Sequence, residues 1–165
     1  GEEVYISMIN KAEKYCWFIT PYLIITDEMT HALCLAAKRG VDVRIITPGI
    51  PDKKMIYSVT RSFYHGLVKN GVRIYEWTPG FCHAKMSVVD DCMATCGTIN
   101  LDYRSLYHHF ENGCFMADCQ AVLDIRNDLA ATMDECREVT EQYSTGRSAY
   151  LRLGQLFMRL FAGLL

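Results

Sequence analysis

Residues 81–100 read FCHAKMSVVDDCMATCGTIN, and this stretch decides the predicted fold of the chain. It contains two strand-like runs, 81–89 and 93–97, which are rich in apolar and β-branched residues. The pair Asp90-Asp91 stands between them, and aspartates between two such runs favour a tight turn. We therefore predict that the two runs form a hairpin.

A histidine and a lysine stand two residues apart in the first of these strands, at His83 and Lys85. The strand period of two places both side chains on one face of the sheet. On an inward face each side chain would need a polar partner, whereas on a solvated face neither would need a function. The pair alone therefore leaves a catalytic and a purely structural interpretation open.

The sequence before the hairpin alternates between helical and strand patterns. Helices are predicted at 2–14, from a cap at Thr26 to just before Gly40, and at 52–70; strands are predicted at 15–20, 41–47 and 72–77. After the hairpin, 110–116 is predicted as a strand and 118–141 as a long helix. This alternation predicts a single α/β domain in which a mixed β-sheet is sandwiched between helices.

The end of the chain is predicted to differ from the rest. We assign residues 1–149 to the catalytic domain and 150–165 to an apolar, amphipathic C-terminal helix, punctuated by Arg152 and Arg159. Such a helix packs on the core of its own domain or rests on a membrane or partner domain, and both interpretations stay open. The chain starts at Gly1 and shows no signal peptide or membrane-spanning stretch, so we expect it to be part of a longer protein.

Composition limits the choice of partners and cofactors. The formal net charge is −2, so no overall positive field would attract nucleic acid, and we do not expect it as a partner. The eight cysteines contain no C-x-x-C pair, and a chain of 165 residues needs no disulfide staples. We therefore expect small buried thiols in a reducing compartment and no metal site or cofactor.

The residues after Lys85 extend the histidine–lysine pair into a longer motif. Its spacing is His-x-Lys-x4-Asp-x6-Gly-Ser/Thr-x-Asn, and it is formed by His83, Lys85, Asp90, Gly97, Thr98 and Asn100. In every spacing it resembles the signature of the phospholipase D superfamily. The flanking segments Thr20-Pro21-Tyr22, 39–45, 99–105 and 108–112 resemble bacterial cardiolipin synthases, and most of the chain is similar to the second, C-terminal half of such an enzyme. Two departures are His109, where asparagine is commoner, and Thr98 for serine.

Residue chemistry suggests the roles of the motif. A phosphodiester is an anion that repels nucleophiles, and Lys85 and Asn100 can donate hydrogen bonds to its oxygens without a metal. The imidazole of His83 can either attack phosphorus or deliver a proton to the leaving alkoxide. Gly97 and Thr98 are expected to support the phosphate-binding residues.

Three further residues are expected to support this site. Glu111 is the candidate carboxylate that fixes the tautomer of His83, an assignment that the resemblance supports. Asp90, the third residue of the catalytic signature, is expected to brace the motif by hydrogen bonds at the hairpin turn. The guanidinium of Arg104 could hold a phosphate or a buried carboxylate, and we favour the structural role.

The resemblance implies a phosphatidyltransferase that converts two phosphatidylglycerol molecules to cardiolipin and glycerol through a phosphohistidine, without a metal. It implies a parent enzyme at the cytoplasmic face of the cell membrane, whereas this chain itself is expected to be soluble. Expected partners are the phospholipid, the membrane surface through the parent protein, and a second motif-bearing half or second copy of the chain. The alternatives are a homodimeric nuclease or phosphodiesterase of the same superfamily, and an inactive isolated fragment.

Overall fold

A mixed sheet with helices on both faces organises the computed structural model, which describes residues 1–145. The α-helices are α1 (Glu2–Lys11), α2 (Asp27–Lys38), α3 (Lys54–Val68), α4 (Gln120–Asp134) and α5 (Thr140–Ser144). The strands are β1 (Tyr15–Ile19), β2 (Leu23–Ile24), β3 (Asp42–Pro48), β4 (Arg73–Trp77), β5 (Met86–Val89), β6 (Met93–Gly97), β7 (Leu101–Asp102), β8 (Gly113–Ala117) and β9 (Cys136–Glu138). The helix expected at 150–165 lies outside the described residues.

Seven strands form the main sheet in the order β8-β6-β5-β1-β3-β4-β9. The strands β1, β3 and β4 are parallel, whereas β5, β6 and β8 continue the sheet as antiparallel neighbours on one side. A second, two-stranded sheet pairs β2 with β7 and so brings residues 101–102 beside 23–24. The predicted mixed α/β sheet and the β5–β6 hairpin are both confirmed.

The two faces of the sheet support separate apolar cores, because side chains of a strand alternate between faces. One core packs α1, α2, α3 and α5 against residues such as Phe18 and Ile45. The other packs α4 against residues such as Val88 and Ala94. The predicted cap of α2 is confirmed, since the hydroxyl of Thr26 accepts a hydrogen bond from the Met29 amide at 3.0 Å. Within residues 1–145, no helix combines the length and apolarity needed to cross a membrane.

The predicted extent of the last long helix and the predicted burial of the cysteines were wrong. The long helix ends at Asp134, and the chain then adds β9 to the sheet edge beside β4. Contacts remote in sequence hold this short strand: Arg73 donates to the Glu138 carboxylate at 2.9 and 3.1 Å, and the Val139 amide donates to the carbonyl of Ile74 at 2.9 Å. The cysteines are all free, as expected, but only Cys16 and Cys34 are buried.

The histidine–lysine pair of the motif lies at the carboxyl-terminal edge of the main sheet, where its parallel strands end. The parallel strands β1, β3 and β4 all end there, and the last residue of β1, Ile19, pairs with the first residue of β5, Met86. Residues just before β5 therefore lie at the carboxyl ends of the parallel strands. This is the edge at which open α/β sheets usually bind ligands.

Candidate active site

The side chains of His83 and Lys85 meet at this edge. Lys85 Nζ lies 2.8 Å from Nδ1 and 3.2 Å from Nε2 of His83, and it donates to the His83 carbonyl at 2.7 Å. Both residues precede β5, which starts at Met86, so the predicted strand is shorter than expected. The segment 81–85 leads into β5 as a loop, and the Gly97 amide of β6 donates to the Lys85 carbonyl at 3.2 Å.

Burial and charge both affect the protonation of this pair. Partial burial lowers the pKa of His83, the charge of Lys85 lowers it further, and the Asp52 carboxylate opposes them. Partial burial also lowers the pKa of Lys85, against the carboxylates of Glu111 and Asp102. A lowered pKa favours the neutral imidazole near pH 7, which is the form that can accept a proton or attack phosphorus.

Two residues that the sequence did not assign to the site form a wall beside His83. The ring edge of Tyr22 faces the imidazole at 6.4 Å between centroids, and the Tyr22 hydroxyl donates to Asp52 Oδ2 at 2.6 Å. Burial and this carboxylate raise the pKa of Tyr22 to about 12. Phe81 lies on another side of the imidazole, 5.7 Å between centroids. Tyr22 stood in a segment that resembled the family, but nothing in the sequence linked it to Asp52.

Asn100 is hydrogen-bonded to the buried carboxylate of Asp102, a residue that the sequence also did not single out. Its amide Nδ2 donates to Asp102 Oδ2 at 3.1 Å, and its buried Oδ1 has no partner within residues 1–145. Asp102 also accepts from the Ser105 amide at 2.8 Å. The same carboxylate also raises the pKa of Lys85 against the effect of burial.

Gly97 and Thr98 join the motif to the last strand. The Thr98 amide donates to the Asn112 carbonyl at 2.9 Å, and the Thr98 hydroxyl donates to the carboxylate of Glu111. A Cβ at Gly97 would lie 2.3 Å from the Asn112 carbonyl oxygen and 2.6 Å from Gly113 Cα. Only glycine therefore fits where these two chain segments cross.

Glu111 does not occupy the position that we expected for an orienting carboxylate. Within the described part of the chain its hydrogen bond goes to Thr98, and none connects it with His83. Its carboxylate does lie close enough to raise the pKa of Lys85 against the effect of burial. Its proposed action on the tautomer of His83 stays a prediction.

Asp90 lies at the opposite end of β5 from the histidine and lysine. Its carboxylate accepts hydrogen bonds from three consecutive backbone amides: Glu13 at 2.7 Å, Lys14 at 3.0 Å and Tyr15 at 2.7 Å. Its φ of 51° is followed by 59° at Asp91, as a tight turn between two strands requires. This geometry agrees with the expected bracing role.

Arg104 opens a short π-helix, Arg104–His108, which turns its side chain towards solvent. Among the described residues its guanidinium holds no carboxylate, so the structural role that we favoured is not formed here. Contact with a phosphate stays a prediction. Residues 1–145 also contain no cluster of three or more histidine, cysteine or acidic side chains placed to hold a metal ion.

Sequence comparisons identify the family of the chain. The family described as "Cardiolipin synthase, PLD-like domain" matches residues 5–133. An uncharacterized protein of Streptococcus mutans is 48% identical over 165 residues, which are 36% of its length. A cardiolipin synthase of Halalkalibacterium halodurans is 34% identical over 165 residues, which are 33% of its length. The chain therefore spans about a third of the length of these relatives.

Solved structures show the same fold at low sequence identity. The phospholipase D family member Nuc from Salmonella typhimurium superposes with a TM-score of 0.72 at 17% identity, over 83% of this chain and 89% of that one. Phosphatidylserine synthase from Haemophilus influenzae gives a TM-score of 0.73 at 18% identity, over 99% of this chain and 44% of that one. With a family match over most of its residues and the superfamily's fold, the chain belongs to the PLD-like domain family of cardiolipin synthases.

Proposed function

We propose that the chain supplies one catalytic half of a cardiolipin synthase, which moves a phosphatidyl group from one phosphatidylglycerol to the glycerol hydroxyl of another. The observation that carries this proposal is the contact of Lys85 Nζ with the exposed imidazole of His83, at 2.8 Å from Nδ1. An imidazole beside a fixed cation at an open sheet edge suits attack on, or protonation of, a bound phosphodiester. The family membership of the chain supports the choice of lipid substrate.

The proposed reaction uses two imidazoles. A histidine from a second motif attacks phosphorus to form a P–N bond, while His83 gives its proton to the departing glycerol oxygen. His83 then takes the proton from the hydroxyl of the second phosphatidylglycerol, whose oxygen attacks phosphorus as the P–N bond breaks. Cardiolipin leaves, both histidines return to their starting forms, and every proton is accounted for.

The charges around His83 fit this sequence of steps. Its pKa is lowered by partial burial and by the charge of Lys85, which favours the neutral base. A bound phosphodiester brings a negative charge beside the ring, and this charge favours the protonated form that the first step needs. The imidazole thus gains its proton when substrate is present, and we assign it the acid and base role rather than that of the nucleophile.

We also propose that the reaction needs no metal ion. Lys85 provides a fixed positive charge, and Asn100 can donate from its amide where a metal would otherwise polarise the phosphoryl oxygens. Turnover in the presence of EDTA should therefore equal turnover without it. Loss of activity on chelation that one divalent ion restores would contradict this part of the proposal.

A second candidate function has a specific observation in its favour. The Salmonella phospholipase D family member Nuc is matched over 89% of its length, so a chain of this size has a counterpart of similar size. A homodimeric nuclease or phosphodiesterase would place two copies of His83 across one phosphate. The formal net charge of −2 opposes a nucleic-acid substrate, and a chain isolated from its second half would be inactive. For the synthase we expect the complete enzyme at the cytoplasmic face of the cell membrane.

The test is lipid turnover by the complete protein, with products identified by mass spectrometry. Phosphatidylglycerol should give cardiolipin and glycerol, whereas DNA and RNA should remain intact; the reverse pattern would favour the nuclease. Rapid acid-free quenching and peptide mapping should find phosphate on a histidine other than His83. A matched control is His31→Ala, which removes an exposed histidine on α2 and should leave turnover unchanged.

A further inference from the structure

Three large apolar side chains stand exposed beside the catalytic edge. Met55 is 56% exposed, Ile50 is 48% exposed and Phe81 is 41% exposed. Ile50 and Met55 lie between the end of β3 and the first turn of α3, and Phe81 lies just before the motif. We call these three residues, together with Lys53 and Lys54, the rim patch.

Contacts already described place the rim patch next to His83. The Phe81 ring is 5.7 Å from the imidazole, measured between centroids. Asp52, between Ile50 and Met55 in sequence, accepts the hydrogen bond of Tyr22, whose ring edge faces His83. The apolar side chains therefore border the same opening through which a phosphodiester would enter.

The loop that carries Ile50 is fixed by its own hydrogen bonds. The Gly49 amide donates to the Trp77 carbonyl at 2.7 Å, and the Tyr57 hydroxyl donates to the Gly49 carbonyl at 3.0 Å. A Cβ at Gly49 would lie 2.8 Å from that Trp77 oxygen, so the close approach requires glycine. The loop is anchored to the end of β4 on one side and to α3 on the other, and its apolar side chains are held in solvent.

The charges of the rim patch distinguish it from the exposed apolar position Leu35. Lys53 and Lys54 are both exposed, and the adjacent carboxylate of Asp52 accepts the hydrogen bond of Tyr22. Leu35, which is similarly exposed on α2, instead shares its groove with Asp27 and Glu28. Apolar side chains interleaved with lysines suit the interface of an anionic bilayer, whereas an acidic surround repels it.

We propose that the rim patch docks on an anionic phospholipid bilayer, with Ile50, Met55 and Phe81 at the boundary of headgroups and acyl chains. Lys53 and Lys54 then lie among the lipid phosphates, and the imidazole of His83 faces the layer of headgroups. Docking of this kind would bring the site to a lipid that stays in its membrane. Its role in catalysis rests on the proposed function. Docking itself is a binding event and needs no turnover.

The test is co-sedimentation of the 165-residue chain with vesicles of phosphatidylcholine alone or with about 40% phosphatidylglycerol, whose anionic headgroups give the surface a negative potential. The double variant Lys53→Gln/Lys54→Gln should bind the anionic vesicles about 25-fold more weakly, since each lysine near such a surface contributes about fivefold. Ile50→Ser/Met55→Ser should reduce binding to the same vesicles by about tenfold or more. Melting temperatures close to that of the unchanged chain establish that these exposed substitutions leave the fold intact.

Matched controls separate this proposal from its alternatives. Lys38→Gln/Lys69→Gln makes the same charge change at exposed positions elsewhere, and Val4→Ser/Leu35→Ser removes equivalent apolar surface; both should bind vesicles like the unchanged chain. The variant His83→Ala should also bind normally, so that failure of the proposed catalysis and failure of docking give different results. Equal binding by the rim-patch variants and the controls would overturn the proposal. So would rim-patch variants that change only the oligomeric state in lipid-free solution, since the patch would then meet protein.

Discussion

The two ends of β5 carry residues of the same sequence motif and have opposite surroundings. At one end Asp90 is bonded to three backbone amides and joins the hairpin turn to the start of β1. At the other end, His83 and Lys85 contact each other beside solvent, and nearby carboxylates act on their pKa values. Four strand residues, about 13 Å of chain, separate the two ends. The motif thus has a hydrogen-bonded turn at one end of β5 and an exposed histidine–lysine pair at the other.

The largest expected effect is on activity at the His83 end. In the complete protein, His83→Ala should lower lipid turnover by about 10⁴-fold or more, because one of two groups that act as a unit is lost. The free energy of unfolding should change by less than about 0.5 kcal/mol, since the side chain is exposed. Turnover assays beside urea unfolding measure the two effects separately. A fall in stability large enough to explain the lost turnover would contradict the proposed difference between the two ends of β5.

The Asp90 end should show the opposite balance. Asp90→Ala removes the acceptor of three backbone amides and should lower the free energy of unfolding by about 2–3 kcal/mol, at roughly 1 kcal/mol for each bond. Turnover per folded molecule should fall far less than in His83→Ala. Asp128→Ala, at an exposed position on α4, is the control and should be nearly neutral in urea unfolding. Equal losses of stability in the two variants would remove the bracing role.

A pair of glycine substitutions sharpens the comparison within the motif. Gly97→Ala should lower the free energy of unfolding by about 1–3 kcal/mol, because the new Cβ meets backbone atoms at 2.3 and 2.6 Å. Gly66→Ala lies inside α3 with no atom within 4 Å of the new Cβ, and should raise stability by up to about 1 kcal/mol. Chemical unfolding of both variants gives the sign directly. A neutral Gly97→Ala would mean that the strands can separate there.

The smallest expected effect is a change in the pKa of His83. NMR should place the pKa of His83 below its ordinary value of 6.5, because of partial burial first and Lys85 second. Lys85→Met should raise this pKa and Asp52→Asn should lower it, since these two charges act in opposite directions. Shifts of the same sign in both variants would contradict the assigned contacts.

The same shift has a consequence for stability. The lowered pKa means that the unfolded chain binds more protons than the folded chain just below pH 6.5, so this group reduces stability as the pH falls through that range. The effect should disappear in His83→Gln, measured as the difference in unfolding free energy between pH 7.5 and pH 5.5. A larger acid sensitivity in the variant would reverse the sign that we derive.

Patterns local in sequence predicted much of the fold and the motif. The hairpin and the cap at Thr26 each depend on residues within a few positions of one another, and the alternation of helical and strand patterns indicated the mixed sheet. The strand β9 could not be predicted in this way, because its side chains are held by Arg73 and Glu76 on another strand. The residue after it is held by the carbonyl of Ile74. A three-residue strand is too short to show a periodic pattern against the helix before it.

The site shows the same limit. Spacing along the chain indicated His83 and Lys85, because they are close in sequence and share a motif. Tyr22 and Asp52 lie in loops and Asp102 lies in the short strand β7, and these segments meet only where the parallel strands end. The packing of Tyr22 beside His83 and its hydrogen bond to Asp52 therefore became visible only in the three-dimensional structure.

The central claim is that this chain holds one of the two imidazoles that a phosphodiester transfer needs. The direct measurement is turnover of phosphatidylglycerol and of a simple phosphodiester by the 165-residue chain, with the oligomeric state of the same sample determined by analytical ultracentrifugation. We expect the monomeric chain to give no turnover above background, because His83 is the only motif histidine in its sequence. Robust turnover by a strictly monomeric species would contradict the two-imidazole account.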